Sequence, residues 1–410
     1  MSLNFTFPIQ LFIAMTYCTY VVQENVPGGE YVAEGVPLIL GLLISLFFLI
    51  KVLNSKAKVK FKPLLITYLL YFFYILVTTI SYIIIEGHSP FRLLFMYQYF
   101  PMFTVILMLG NNHIFHINKQ LIFITIGFFA SLSAIYGILQ FLGFEPGVPV
   151  DINRARGLSR STLNYSSLMF LGFVAATMIS KKSISGIFSI IIFAGVIASQ
   201  GRGGLFATII FFLLYTFFSN FKIGNLLFIT GFMASLILAA FTFLPEENLE
   251  NFEILFERLS VAADTYDPSN AQRVYSYALF LEEFRFFGLG AGITGPAAER
   301  FQPGTGYESF LLQIIVQGGL LGLLILLGIW TVLFFKLSFE KTELFSYLSA
   351  LFFMMMVQQT LETPTVNIMA WLLLIVLVAS DSNDYQEKNI DKKEFLPMWL
   401  QVLGIRKNAS

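Results

Sequence analysis

Apolar stretches close to twenty residues long follow one another along this chain, with short polar interruptions, almost to residue 380. About twenty apolar residues in a helix cross a hydrocarbon core about 30 Å thick. The pattern predicts twelve spans, at 5–22, 36–53, 63–85, 91–110, 121–144, 164–180, 184–199, 204–219, 223–244, 308–335, 343–360 and 366–380. A β-barrel would instead show alternating segments of about ten residues. The expected fold class is all-α: a polytopic helical membrane protein with about 12 transmembrane helices and one large helical loop. Spans one to nine occupy 1–244, the loop 245–307, spans ten to twelve 308–380, and a polar tail 381–410. No repeat of fixed period is visible.

The two polar stretches carry patterns of their own. The loop predicts two amphipathic helices, through NLENFEILFERLSVA and NAQRVYSYALFLEEFRFF, the second capped by Ser269 or Asn270. The tail ends in FLPMWLQVLGI, an apolar patch suited to lie along a membrane interface.

Composition agrees with a membrane protein. Hydrophobic residues make up 57% of the chain and charged residues 12%, against roughly 25% charged in soluble domains. A net charge of zero suggests no nucleic-acid partner. Cys18, the one cysteine, has no intrachain partner and reads as a small buried hydrophobe. The opening MSLNFTFPIQ lacks the basic start of a cleaved signal, so the first span is expected to be retained.

Charge type changes the picture more than charge balance does. In the twelve-span arrangement all fifteen lysines fall on one side, which the positive-inside rule makes cytoplasmic, together with both termini. The arginines fall on the other side: Arg92, Arg154, Arg156, Arg160, Arg202, Arg258, Arg273, Arg285 and Arg300, with only Arg406 inside. Membrane insertion gives no reason to sort two cations of equal charge. Guanidinium differs in being a planar fork that grips two phosphate oxygens at once. Contact with lipid headgroups would be served as well by lysine, while pairing with loop carboxylates stays open for any one arginine. The sorting therefore points to a phosphate-bearing anion held at the outer face.

Four outer-face elements follow in order. Arg154-Ala-Arg156-Gly157-Leu158 precedes span six, which Asn164 enters or caps. Ser199-Gln200-Gly201-Arg202-Gly203-Gly204 joins spans seven and eight, and would set Arg202 beside a helix N-terminus, where free N–H groups attract anions. A plain packing turn of small residues reads the same way. In the large loop, Arg273 and Tyr277 share a helix face, and GLGAG follows with Gly288, Gly290 and Gly292 alternating, read as a turn that returns the chain to the membrane. Finally, Tyr307-Glu308-Ser309 opens span ten, with Gln313 one turn further in. A carboxylate at that mouth is either a general base or the partner of an arginine. No His/Cys or Asp-x-Asp cluster of metal-ligand spacing stands on the outer side, so no metal and no cofactor is expected.

In this order and sidedness the chain resembles the O-antigen polymerase and O-antigen ligase superfamily, bacterial inner-membrane glycosyltransferases that use undecaprenyl-diphosphate-linked sugars. The layout matches over about 30–380, and the specific motifs lie in the four elements above. Ligases of the superfamily typically carry a histidine in or just after the large periplasmic loop. Here Glu308-Ser309 holds that place, and the only histidines are His88, His113 and His116. The resemblance thus implies a Wzy-type polymerase in the inner membrane with its site facing the periplasm. It implies diphosphate contacts from Arg154, Arg156, Arg202 and Arg273, with Glu308 as base or positioning group. Asn164, Tyr277 and Gln313 are expected near the sugars. The expected partners are the lipid-linked oligosaccharide, the bilayer and a polysaccharide chain-length regulator. Two alternatives stay open: a ligase passing finished glycan to another acceptor, and a flippase of the lipid-linked unit.

Overall fold

A computed structural model of the protein describes residues 6–25, 29–54, 62–87, 116–144, 154–159, 161–219, 284–292, 309–338, 341–358 and 363–381, with isolated positions within 90–106 and at 278. The predicted spans at 91–110 and 223–244, the two amphipathic helices of the loop, and the tail lie wholly or largely outside these residues.

The described residues form helices α1 (Thr6–Tyr17), α2 (Thr19–Asn25), α3 (Gly29–Asn54), α4 (Lys62–Ile85), α5 (Lys119–Phe141), α6 (Thr162–Thr177), α7 (Lys182–Ala198), α8 (Arg202–Phe218), α9 (Phe310–Ser338), α10 (Thr342–Val357) and α11 (Pro364–Val378). Among the described residues, three helices are long and apolar enough to cross a membrane: Pro63–Ile85, Lys119–Phe141 and Phe310–Leu337. The expected first span is two helices, broken at Cys18.

Helix α6 sits at the centre, with Leu168 to Ala176 buried on every side, as expected of a helix apolar all round. Helices α5, α7, α8 and α11 surround it. Small residues let these helices approach closely. A Cβ added at Gly195 of α7 would lie 2.7 Å from that of Ala134 on α5.

Polar contacts divide the bundle into two ends. At one end Gln120 donates to the Met178 carbonyl and accepts from the Ser180 N–H. There Lys119 reaches the Leu377 carbonyl, and His116–Ile117 pairs in parallel with Ser380–Asp381. Arg154, Arg156 and Arg202 lie at the opposite end.

Helix α9 is not continuous. Gly319 stands at φ 64° and ψ −168°, about 14 Å along the helix from Phe310 at 1.5 Å per residue. A break there frees carbonyl oxygens that lipid cannot satisfy. Residues 284–292 fill the gap. The Leu289 N–H donates to the Val316 carbonyl and the Gly290 N–H to the Gln317 carbonyl, both at 2.9 Å. The Tyr74 hydroxyl of α4 lies 2.6 Å from the Phe287 oxygen and 2.9 Å from the Gly318 oxygen. The Ala291 N–H donates to Thr79 Oγ1 at 2.8 Å. GLGAG is therefore more than the expected returning turn: it is an irregular, glycine-turned strip wedged between α4 and the two halves of α9. Phe286 and Phe287 on its exposed edge are more than half exposed, as side chains facing lipid would be.

Candidate functional site

The arginine-bearing end is built on the first turns of α6. Ser161 caps this helix, its hydroxyl accepting from the Asn164 N–H at 3.2 Å. One side of these turns carries the 154–159 loop. Gln140 Oε1 accepts from the N–H groups of Arg156 and Gly157, at 3.1 and 2.9 Å, and Ser133 Oγ from that of Leu158 at 3.1 Å. Gly157 has φ +55°, and a Cβ there would run into the Tyr165 ring and stand 2.6 Å from the Ser133 carbonyl oxygen. Only glycine fits that conformation and that space. The loop is also tied to α2, because the Tyr20 N–H donates to the Leu158 carbonyl at 2.9 Å. The Arg156 guanidinium lies 4.6 Å from the centre of the Tyr20 ring. A guanidinium held against a ring face in this way is ordered without losing its in-plane N–H fork.

The other side of α6 carries the SQGRGG turn. Ser166 Oγ donates to the Gly201 carbonyl at 3.3 Å, and Ser199 Oγ accepts from the Gly201 N–H at 3.0 Å. Gln200 has φ 49°, which costs a residue with a side chain strain. Helix α8 then starts at Arg202 with no side-chain cap. The loop of Arg154 and Arg156 and the turn of Arg202 thus flank adjacent residues of one helix, Tyr165 and Ser166. All three arginines are half-buried.

Two more helix starts converge here. The Phe310 N–H, opening α9, donates to the Gln358 carbonyl at 3.4 Å. The Gln358 amide reaches the Leu163 carbonyl at 3.2 Å. Thr363, preceding α11, donates through its hydroxyl to Asn164 Oδ1 at 3.0 Å. The N-termini of α6, α8, α9 and α11 therefore meet at one end of the bundle. Each contributes the equivalent of about half a positive charge, the C-terminal ends of α5, α7 and α10 at Gln140, Ser199 and Gln358 offset part of it, and three arginines add whole charges. Such a place attracts anions, phosphate above all.

The expected site residues fall into three groups. Arg154, Arg156, Arg202 and Asn164 come together as described. Asn164 stands in the first turn of α6 rather than at its cap, and its side chain ties α6 to the start of α11. Gln313 is wholly buried one turn below Ser309, inside the bundle rather than at its mouth. Arg273, Tyr277 and Glu308 lie outside the described residues. Gln358, Gln140 and Tyr20 were not anticipated. A signal for the first existed in the two adjacent amides, Gln358 and Gln359, ending an apolar run; Gln140 and Tyr20 are found only through the fold.

These features define a class: a helical membrane protein with three arginines grouped at one end of the described bundle. Residues 187–327 match the O-antigen ligase family. That segment holds the SQGRGG turn, GLGAG and the break in α9 at Gly319. The similarity supports the O-antigen ligase and polymerase superfamily without separating its two activities. No curated protein matches the chain.

Proposed function

We propose that this protein is a glycosyltransferase that polymerises undecaprenyl-diphosphate-linked oligosaccharide repeat units at the outer face of a bacterial inner membrane. The single observation behind this reading is the meeting of four helix N-termini with Arg154, Arg156 and Arg202. In the reaction, a hydroxyl oxygen of the acceptor unit attacks the anomeric carbon of the donor glycan. The bond from that carbon to the diphosphate oxygen breaks, and undecaprenyl diphosphate departs. The hydroxyl proton passes to a base, for which Glu308 is the candidate. Negative charge grows on the diphosphate as it leaves. Fixed guanidinium groups and helix dipoles stabilise that charge without reorganising. Arg273, on the loop, is assigned to the same diphosphate, and Tyr277 to the sugars. The reaction needs no metal in this reading, since diphosphate is already a good leaving group. Both termini are assigned to the cytoplasm, and a chain-length regulator is an expected partner.

The test is elongation of a defined lipid-linked repeat unit by the purified protein in detergent, with and without EDTA. Long glycans on the carrier lipid support the reading; inactivity there, or dependence on an added metal, counts against it. Glu308→Gln separates base from positioning roles, because survival of activity with an unchanged pH profile removes the base assignment.

The family match is equally compatible with a second reading, in which the finished glycan is transferred to another acceptor. Product analysis decides between them, since a ligase moves glycan off the carrier without lengthening it. The broken helix α9 invites comparison with transporters, which place such breaks around substrate. Here the freed carbonyls of residues 316–318 are bonded by the protein itself, which supports a structural break rather than a transport site.

A further inference from the structure

Gln358 ends α10 and is held from several sides at once. Its backbone N–H donates to the Met354 carbonyl at 2.9 Å, its own carbonyl accepts from the Phe310 N–H, and its side-chain Nε2 donates to the Leu163 carbonyl. The residue is 4% exposed. The bond from Nε2 fixes the amide plane and so fixes where Oε1 points. That oxygen points at the first turn of α8: a Cβ added at Gly203 would collide with it. Among the described residues no donor reaches Oε1. A buried amide oxygen left without a donor is costly, and this one lies beside Arg202, next to a half-buried glycine.

The chemistry of Oε1 restricts what it receives. A carbonyl oxygen repels phosphate oxygens and attracts O–H or N–H groups. Its neighbours, Arg202 and the uncapped N-terminus of α8, do the reverse. A ligand that satisfies both has an anionic part and a hydrogen-bond donor a few ångströms apart, which is the arrangement in a sugar joined to a diphosphate. We propose that Gln358 Oε1 accepts a hydrogen bond from a sugar hydroxyl or amide next to the diphosphate, making Gln358 a sugar-positioning residue. Oε1 packs directly against Gly203, so a side chain there would displace it. This rests on the diphosphate reading above. The donor group comes either from the first sugar of the lipid-linked donor or from the attacking acceptor.

The experiment measures binding of two probes to the full-length protein in nanodiscs: undecaprenyl diphosphate, and undecaprenyl diphosphate carrying one N-acetylglucosamine. The readout is the ratio of the two affinities in wild type, Gln358→Met and Gly203→Ala. General damage to the fold weakens both probes and leaves the ratio alone. Gly203→Ala displaces Oε1 without deleting Gln358, so it serves if Gln358→Met fails to fold. If the donor sugar is the source, the ratio falls in both variants by about fivefold, the worth of one neutral hydrogen bond. If the acceptor is the source, the ratio holds while KM for the acceptor glycan in the elongation assay rises about as much. An unchanged ratio with an unchanged acceptor KM overturns the proposal. Failure of the wild-type protein to bind undecaprenyl diphosphate itself overturns the diphosphate reading instead.

Discussion

The Arg156 guanidinium lies 4.6 Å from the centre of the Tyr20 ring. This contact joins α2 to the loop that carries Arg154 and Arg156, two of the three arginines at this end of the bundle. It makes Tyr20 a support for Arg156, so the two residues predict different losses. Arg156→Lys keeps the charge but loses the fork, and kcat/KM for elongation is expected to fall about tenfold or more, the worth of a charge-assisted hydrogen bond. Tyr20→Leu keeps the fork but loosens it, and a fall of about two- to fivefold is expected from the loss of an exposed cation–π contact. Equal rates for Arg156→Lys and wild type in the purified elongation assay would sink the role given to Arg156.

Two glycines of the same helix predict opposite effects on stability. Gly319 sits in the left-handed region with the Arg285 carbonyl oxygen 2.6 Å from where a Cβ would stand. Gly319→Ala is therefore strained in backbone and in space, and is expected to cost about 2–4 kcal/mol. Gly328 lies further along α9 with nothing within 4 Å of an added Cβ. Gly328→Ala is expected to be neutral or to stabilise by up to about 1 kcal/mol, because alanine is the better helix former. Thermal unfolding of the detergent-solubilised variants checks the pair. A Gly319→Ala protein as stable as Gly328→Ala would mean that α9 has no break there.

Tyr74 predicts how the 284–292 strip is retained. Its one hydroxyl serves two carbonyl oxygens from distant parts of the chain. Tyr74→Phe removes the hydroxyl and little else. It is expected to cost about 1–3 kcal/mol, since one of the two oxygens is left without a donor. Because the strip lies within the large loop and ties it to α4 and α9, limited proteolysis within 245–307 should also become faster. Unchanged stability together with an unchanged cleavage rate would show that the strip is held by other contacts.

The helices themselves were legible because nothing but length and apolarity is needed to mark a span. That Arg154, Arg156 and Arg202 belong together was legible in outline for a different reason: lysine and arginine were sorted, and sorting by side-chain type rather than charge is visible without coordinates. What escaped depends on contacts between distant segments. The break at Gly319 carries no proline, and Gly318-Gly319 reads like the packing glycines of any span. Only when GLGAG is placed beside α9 do the left-handed Gly288, Gly290 and Gly319 make one joint. Gln313 was expected near the sugars from its position one turn past Glu308, and the sequence alone did not show that its side chain is wholly buried. Gln358 escaped because its importance lies in an oxygen aimed at Gly203, a residue 155 positions earlier by sequence number.

Ser161 offers a way to separate the fold of the mouth from its charge. Its hydroxyl caps α6 beside the arginine loop. Ser161→Ala removes the cap and leaves the electrostatics nearly as they were. It is expected to cost about 1 kcal/mol in stability, with little loss of affinity for undecaprenyl diphosphate. Ser161→Asp replaces one good cap with another and interacts favourably with the helix dipole, so stability is expected to hold or rise by a few tenths of a kcal/mol. The same carboxylate, however, puts a negative charge where four helix N-termini and three arginines would draw an anion. Affinity for undecaprenyl diphosphate should then fall about tenfold, and should recover less at low salt than at high salt because the repulsion is screened as ions are added. The two substitutions move stability and binding in opposite orders. If Ser161→Asp binds the carrier as tightly as wild type while remaining folded, the mouth is not where the anion sits, however well its arginines are arranged.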